Sequence, residues 1–189
     1  CFEIALKLIK HKISNKLING PISKENFLSK KFLGITEYLA FKTQTKNFAM
    51  IIYNKKLSVC PITTHLPLKY VAKKLNKFEI INKVKLINLF WKKIFKKKLK
   101  IGITGLNPHC ESIDSFKEDK KIILSAVNSL KKLNINIKGP FAADTIFLKN
   151  NRKNFDLIVG MYHDQVLTPM KTLFEYNAIN ITLGLPFLR

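Results

Sequence analysis

KIGITGLNPH, residues 100–109, places a short apolar run ahead of a glycine, an asparagine, a proline and a histidine. An apolar run of this length bounded by turn-formers is the signature of a buried strand, so a strand over 100–104 and a loop through His109 are expected. Downstream, a helix is expected from about residue 115 to 132, with Ser115 as its cap and Glu118 three positions on completing a capping box. A short strand over 134–137 runs into Gly139-Pro140, read as a turn. Residues 155–159 form another strand, followed by a loop through His163, and residues 178–183 form the last.

Upstream, residues 2–14 carry a helical apolar face (Phe2, Ala5, Leu6, Ile9, Ile13). Leu17-Ile18 reads as a strand entering a turn at Gly20-Pro21, and Thr36 with Glu37 starts a second helix. Residues 48–53 and 57–62 flank the turn Asn54-Lys55-Lys56 and predict a β-hairpin. Pro67 opens a helix to about residue 75, and residues 79–97 form a longer amphipathic helix carrying Trp91. Strands alternating with helices predict an α/β fold, layered α/β/α with a mostly parallel sheet.

Composition narrows the function. In 189 residues, 47% are hydrophobic and 11% aromatic, which excludes a disordered or fibrous chain. The longest apolar runs are strand-sized, which predicts no membrane span, and the opening CFEIALKLIKHKI lacks a cleavage-site signature. Three cysteines (Cys1, Cys60, Cys110) without a regular framework fit free thiols and a cytoplasmic location. The chain opens at Cys1 and stops at Arg189 directly after an apolar run, and so reads as an internal fragment, residues 1–189, of a longer protein, with no clear internal boundary.

The net charge of +22 invites a nucleic-acid reading. Against it, only Arg152 and Arg189 are arginines, the residue suited to bidentate base and phosphate recognition. The lysines are spread over the whole length, so the charge reads as a solvated surface and nucleic acid is not the expected partner.

Three of the four histidines share a setting. His65 stands in ITTHLPLK, His109 in TGLNPH and His163 in GMYHDQ, each just beyond a predicted strand. In open α/β sheets ligands bind beyond the carboxyl ends of the strands, where residues distant in sequence converge. Separations of 44 and 54 residues suit a metal site assembled by the fold rather than a zinc finger. The plain alternative for any one of them is a solvated loop histidine, which is how His11 reads. Asp164 and Asp144 are candidate acceptors that would fix a histidine tautomer, with helix capping an equal alternative for Asp164. Lys171 is a candidate proton-transfer group, and Arg189 a candidate phosphate clamp.

The series TTHLPLK, GLNPH, GPFAADT, MYHDQ and NITLGLPFLR, in this order and at these intervals, resembles the 4-hydroxythreonine-4-phosphate dehydrogenases. The resemblance covers essentially the whole chain and is strongest from about Cys60 onward. It implies a fold like the isocitrate and isopropylmalate dehydrogenases, incomplete here at both ends. It also implies that His65, His109 and His163 bind one divalent metal ion (zinc, magnesium or cobalt), with Asp144 near it. Thr36, Lys171, Asn180 and Arg189 match substrate-contacting positions, Lys171 and Asp144 being the catalytic candidates. The implied reaction belongs to pyridoxal phosphate (vitamin B6) biosynthesis: NAD- or NADP-dependent oxidation of 4-phosphooxy-L-threonine, then decarboxylation to 3-amino-2-oxopropyl phosphate. The implied assembly is a homodimer with its active site at the subunit interface.

The chain departs from the family pattern at three places. Ile35 stands where a histidine is common in GHTE, Ser23 where another histidine is common, and Cys110-Glu111-Ser112-Ile113 where small residues are usual. No GxGxxG marks a dinucleotide site. Two alternatives therefore accompany the reading: a metal-dependent hydrolase using the same three histidines, and a related dehydrogenase with an altered substrate.

Overall fold

The computed structural model describes residues 1–20, 22, 23, 32, 34–111 and 117–189. In chain order its elements are α1 (Phe2–Lys10), α2 (Ile35–Lys42), β1 (Ala49–Tyr53) and β2 (Ser58–Thr63). A 3₁₀ turn (Leu68–Tyr70), α3 (Val71–Lys74), α4 (Lys77–Phe95) and β3 (Ile101–Thr104) follow. A π-helical stretch (Glu118–Leu124) runs into α5 (Ser125–Lys132), and β4 (Ile137–Phe141) leads to the short α6 (Ala143–Ile146) and α7 (Lys149–Arg152). The described chain closes with β5 (Leu157–Tyr162), α8 (His163–Phe174) and β6 (Ile179–Leu183).

One sheet holds all six strands in the order β4-β3-β5-β2-β1-β6. β2, β5, β3 and β4 are parallel to their neighbours, and β1 runs against both β2 and β6. Five strands therefore share one direction and end on one edge. Parallel strands are covered on both faces, so their side chains are apolar whichever way they point. Alternation then sorts them between two cores. Ile62, Ile101, Ile103, Leu157 and Val159 pack on one face with Ile80, Val84 and Ile87 of α4 and Val127 and Leu130 of α5. Met50, Ile52, Val59 and Ile158 pack on the other with Val166 and Met170 of α8. At about 1.5–3 kcal/mol per fully buried aliphatic side chain, these two layers hold the sheet flat between helices. α1 and α2 form a smaller cluster of their own around Leu39, Tyr38 and Phe187.

The expected α/β/α layering and the 48–62 hairpin are present, but several details are corrected. α1 ends at Lys10, not residue 14, and Leu17-Ile18 forms no strand, only a bridge from Lys16 to Leu188. The helix expected from Pro67 splits into a 3₁₀ turn and α3, with Pro67 just before the first. α4 starts at Lys77 because Asn76 caps it, its Oδ1 accepting from the Glu79 N–H at 2.9 Å. Gly139-Pro140 is not a turn but lies inside β4, an edge strand, where proline's missing N–H costs no ladder bond. There Gly139, at φ +127°, has its α-carbon so close to the Ile103 carbonyl that no side chain fits. Asp144 lies in α6 rather than in a loop, and His163 opens α8 directly. Pro21, Ser112, Ile113 and the Ser115 cap lie outside the described residues.

Candidate functional site

The shared strand direction brings the sequence-predicted residues to one edge of the sheet. His65 follows β2, His163 follows β5, His109 follows β3, Asp144 follows β4 and Arg189 lies beyond β6. β2 and β5 are adjacent, in register from Ser58↔Leu157 to Thr63↔Tyr162. Their histidines consequently meet, the rings 5.9 Å apart between centroids and 37° from coplanar.

His65 is half-buried against α2. Its Nδ1 stands 3.6 Å from Oε1 of Glu37, within ion-pair reach but longer than a hydrogen bond. Glu37 is held from the other side by the Thr64 hydroxyl, which donates to Oε1 at 2.7 Å. Burial pushes the Glu37 carboxyl up, but the His65 ring and the Thr64 hydrogen bond pull harder the other way and hold it at about 2. His163 Nδ1 lies 2.8 Å from Oδ1 of its neighbour Asp164, whose side chain is largely exposed. Asp164 makes no cap hydrogen bond to α8, so of its two expected readings the histidine partner is the one present.

Arg189 builds a second corner on the same side. Its Nε donates to Asn19 Oδ1 at 2.9 Å, and its Nη1 donates to Thr182 Oγ1 at 2.8 Å and Thr36 Oγ1 at 3.2 Å. Thr36 and Thr182 are buried. Burial draws the guanidinium below its usual range, while the Glu37 charge works in the opposite direction. The first turn of α2 thus serves both corners, Thr36 toward Arg189 and Glu37 toward His65. Ile35, between Gly34 and Thr36, is buried in the apolar cluster with Tyr38, Leu39 and Phe187.

The remaining expected residues are exposed, and Asn180 lines one pocket with Asn19 and Arg189 of the second corner. His109 is exposed on a tight turn, at φ 56°. Asp144 is exposed on α6, lining a cleft with Tyr162, Asp164 and Thr168. Lys171 is exposed in the last turn of α8, its Nζ 4.9 Å from the centre of the Tyr176 ring. Eight residues along a helix is about 12 Å, so Lys171 stands two turns from His163. Asn180 is exposed on β6.

Sequence reasoning missed the residues that brace the edge. Gln165, buried in the first turn of α8, takes the Thr104 hydroxyl and the Met161 N–H on its Oε1, both at 2.7 Å. Its Nε2 donates to the Gly105 carbonyl at 2.8 Å, so one side chain ties the ends of β3 and β5 together. Asp119, also buried, accepts from the Leu106 and Asn107 N–H groups at 2.7 and 3.2 Å and from the Asn107 side chain at 2.7 Å. It thereby holds the loop that leads to His109. A glutamine just after MYHD, on the buried face of a helix, was the available signal for Gln165. Nothing local marks Asp119.

The donor chemistry suits a divalent ion at the His65–His163 pair. Two imidazoles face each other there, and His65 Nδ1 and Glu37 Oε2 are buried without a hydrogen-bond partner among the described residues. Among those residues, no group of three His, Cys, Asp or Glu side chains is close enough to hold an ion. His109 is therefore not gathered with the other two in this single chain. Cys60 is buried, which pushes its thiol up to about 12 and leaves it inert as a ligand. No helix among the described residues is long and apolar enough to cross a membrane.

Known proteins share both this sequence and this fold. The family model of the pyridoxal phosphate biosynthetic protein PdxA matches residues 1–189. The 4-hydroxythreonine-4-phosphate dehydrogenase of Sulfurihydrogenibium sp. is 46% identical over 99% of this chain and 59% of its own length. That of Aquifex aeolicus is 40% identical over 92% and 54%, and the D-threonate 4-phosphate dehydrogenase of Pectobacterium atrosepticum 32% identical over 100% and 59%. The crystal structure of 4-hydroxythreonine-4-phosphate dehydrogenase from Klebsiella pneumoniae superposes with a TM-score of 0.82 at 33% identity, over 97% of this chain and 57% of that one. The chain thus spans somewhat under three fifths of the length of these relatives.

Proposed function

The chain belongs to the PdxA family of pyridoxal phosphate biosynthetic proteins, and from that premise we propose that it is the site-bearing part of a 4-hydroxythreonine-4-phosphate dehydrogenase. The substrate would be 4-phosphooxy-L-threonine, oxidised with NAD or NADP and then decarboxylated to 3-amino-2-oxopropyl phosphate. The observation that carries this reading is the pairing of two corners on one sheet edge. His65 and His163 face each other at the ends of β2 and β5, and Arg189 is fixed by Asn19, Thr36 and Thr182 near them. Imidazoles and a half-buried guanidinium suit a metal-dependent enzyme acting on a phosphate ester. The two relatives of highest identity quoted above carry that enzyme's name, and nothing in the comparisons favours a hydrolase.

Zinc, magnesium or cobalt would be held by His65, His163 and His109, and would supply Lewis-acid chemistry to the substrate hydroxyl and the ketone derived from it. The chain's own residues do the rest. Arg189 and Thr36 bind the phosphate, with Asn180 as a further contact. Lys171 moves a proton, and Asp144 would stand near the ion. Lys171, Asn180 and His109 are exposed, which is what a site completed by a second subunit would present. A homodimer with a shared site is therefore part of the proposal, as is a cytoplasmic location, consistent with three free cysteines.

The test is an assay of the full-length protein, stripped of metal and given back zinc, magnesium or cobalt, with NAD or NADP and 4-phosphooxy-L-threonine. Nicotinamide reduction that needs the divalent ion, accompanied by carbon dioxide, is expected, and both should disappear in His163→Ala. Phosphate release without reduction would replace the reading with a hydrolase. Faster turnover of D-threonate 4-phosphate would move the substrate, in keeping with Ile35 at the position where a histidine is common.

A further inference from the structure

The reading of His65 as a metal ligand leaves open how its ring is oriented and which nitrogen carries the proton. A neutral histidine has one donor and one acceptor nitrogen, and a metal needs the acceptor. Two buried atoms answer this. His65 Nδ1 has no hydrogen-bond partner among the described residues, and neither has Glu37 Oε2. The Glu37 carboxylate lies at 3.6 Å from Nδ1, and the Thr64 hydroxyl fixes that carboxylate by its 2.7 Å hydrogen bond. A carboxylate can only accept, so the atom facing it must be an N–H.

Gly34 adds an independent observation. A β-carbon there would lie 2.6 Å from His65 Nδ1, 2.7 Å from Cε1 and 2.8 Å from Glu37 Oε2. Its φ of −164° is open to any residue, so the backbone does not demand glycine. The His65–Glu37 pair, which fills the space a β-carbon would take, does.

Resting on the proposed metal site, we infer that Glu37 is a positioning residue. Its carboxylate faces His65 Nδ1 at ion-pair distance, which favours the proton there and leaves Nε2 as the basic nitrogen for the ion, and Gly34 is the gap that lets the two approach. Thr64 keeps the carboxylate in place. Carboxylate–histidine pairs of this kind raise ligand basicity and fix ring orientation, and losing one costs about 10–100-fold in metal affinity.

The experiment reads the His65 tautomer by ¹⁵N NMR of the metal-free full chain at neutral pH, beside zinc affinity by chelator competition. The wild type should show the Nδ1–H form. Glu37→Ala should lose that preference and bind zinc about 10–100-fold more weakly. Glu37→Gln, whose amide oxygen still accepts, should restore the tautomer. Gly34→Ala keeps Glu37 but crowds the pair, and should behave like Glu37→Ala, so the inference stays testable even where the alanine at 37 does not fold. An Nε2–H wild type, or a tautomer indifferent to both Glu37→Ala and Gly34→Ala, overturns the inference. A wild type that shows the Nδ1–H form yet takes up no zinc supports the pairing and overturns the metal reading instead.

Discussion

Two halves of the candidate site are held in opposite ways. The half made by Thr36, Glu37, Thr64, His65 and Arg189 is buried or half-buried and bonded to itself. The half made by His109, Asp144, Lys171 and Asn180 is exposed. A group that must bind a charged phosphate gains from preorganised donors that need no rearrangement. A group left in water has no such support from its own chain. The difference separates the part of the candidate site that this chain fixes by itself from the part it leaves exposed.

The largest expected effect is at Gln165, which ties the ends of β3 and β5 that lead to His109 and His163. Gln165→Leu strands the Thr104 hydroxyl, the Met161 N–H and the Gly105 carbonyl. At about 1–3 kcal/mol for each buried group left unpaired, a loss of at least about 3 kcal/mol is expected in urea unfolding. In the braced half, Arg189→Leu should cost about 2–3 kcal/mol and abolish phosphate-substrate binding by calorimetry. Arg189→Lys should restore little, because an ammonium cannot reproduce the fork that meets Asn19, Thr36 and Thr182. In the exposed half, Lys171→Ala should leave stability within about 0.5 kcal/mol of wild type while turnover falls about 100-fold or more. If Lys171→Ala destabilises as much as Arg189→Leu, the contrast between the halves is wrong.

The smallest effect belongs to the tether between α1 and α2. There Glu3 meets Lys42 at 2.6 Å and accepts from the Tyr38 hydroxyl at 3.0 Å. The Lys42 ammonium, with Tyr38 next, holds the Glu3 carboxyl below its ordinary 4.5. Its folded pKa is thus lower than its unfolded one, so the tether's contribution is present above pH 4.5 and fades as the pH falls through the lowered value. Glu3→Gln should remove that acid-side dependence from a pH series of melting temperatures and lower the neutral-pH value by the same small amount.

Much of this was legible in the sequence, for reasons that can be named. The layered fold followed from alternating apolar runs because parallel strands must be apolar throughout. His65 and His163 were legible because each closely follows a strand, and the strand positions them. His109 followed a strand too, but it lies five residues beyond β3, and the turn between is shaped by Asp119 from a separate helix. Long-range hydrogen bonds of that sort leave no periodic trace. Glu37 was hidden for a related reason: as the acid in a helix's first turn it looked like an ordinary dipole partner, and only the approach of His65 from β2 gives it work. Gly139-Pro140 was misread because the pair favours turns locally, whereas the edge position of β4 tolerates it within a strand.

The central claim is that His65, His109 and His163 make one divalent-metal site. Metal content of the purified full-length protein, beside His65→Ala, His109→Ala and His163→Ala, tests it most directly. About one ion per chain in the wild type, lost in all three variants, is the predicted result. Wild-type levels of metal in any of the three, or none in the wild type, would contradict it.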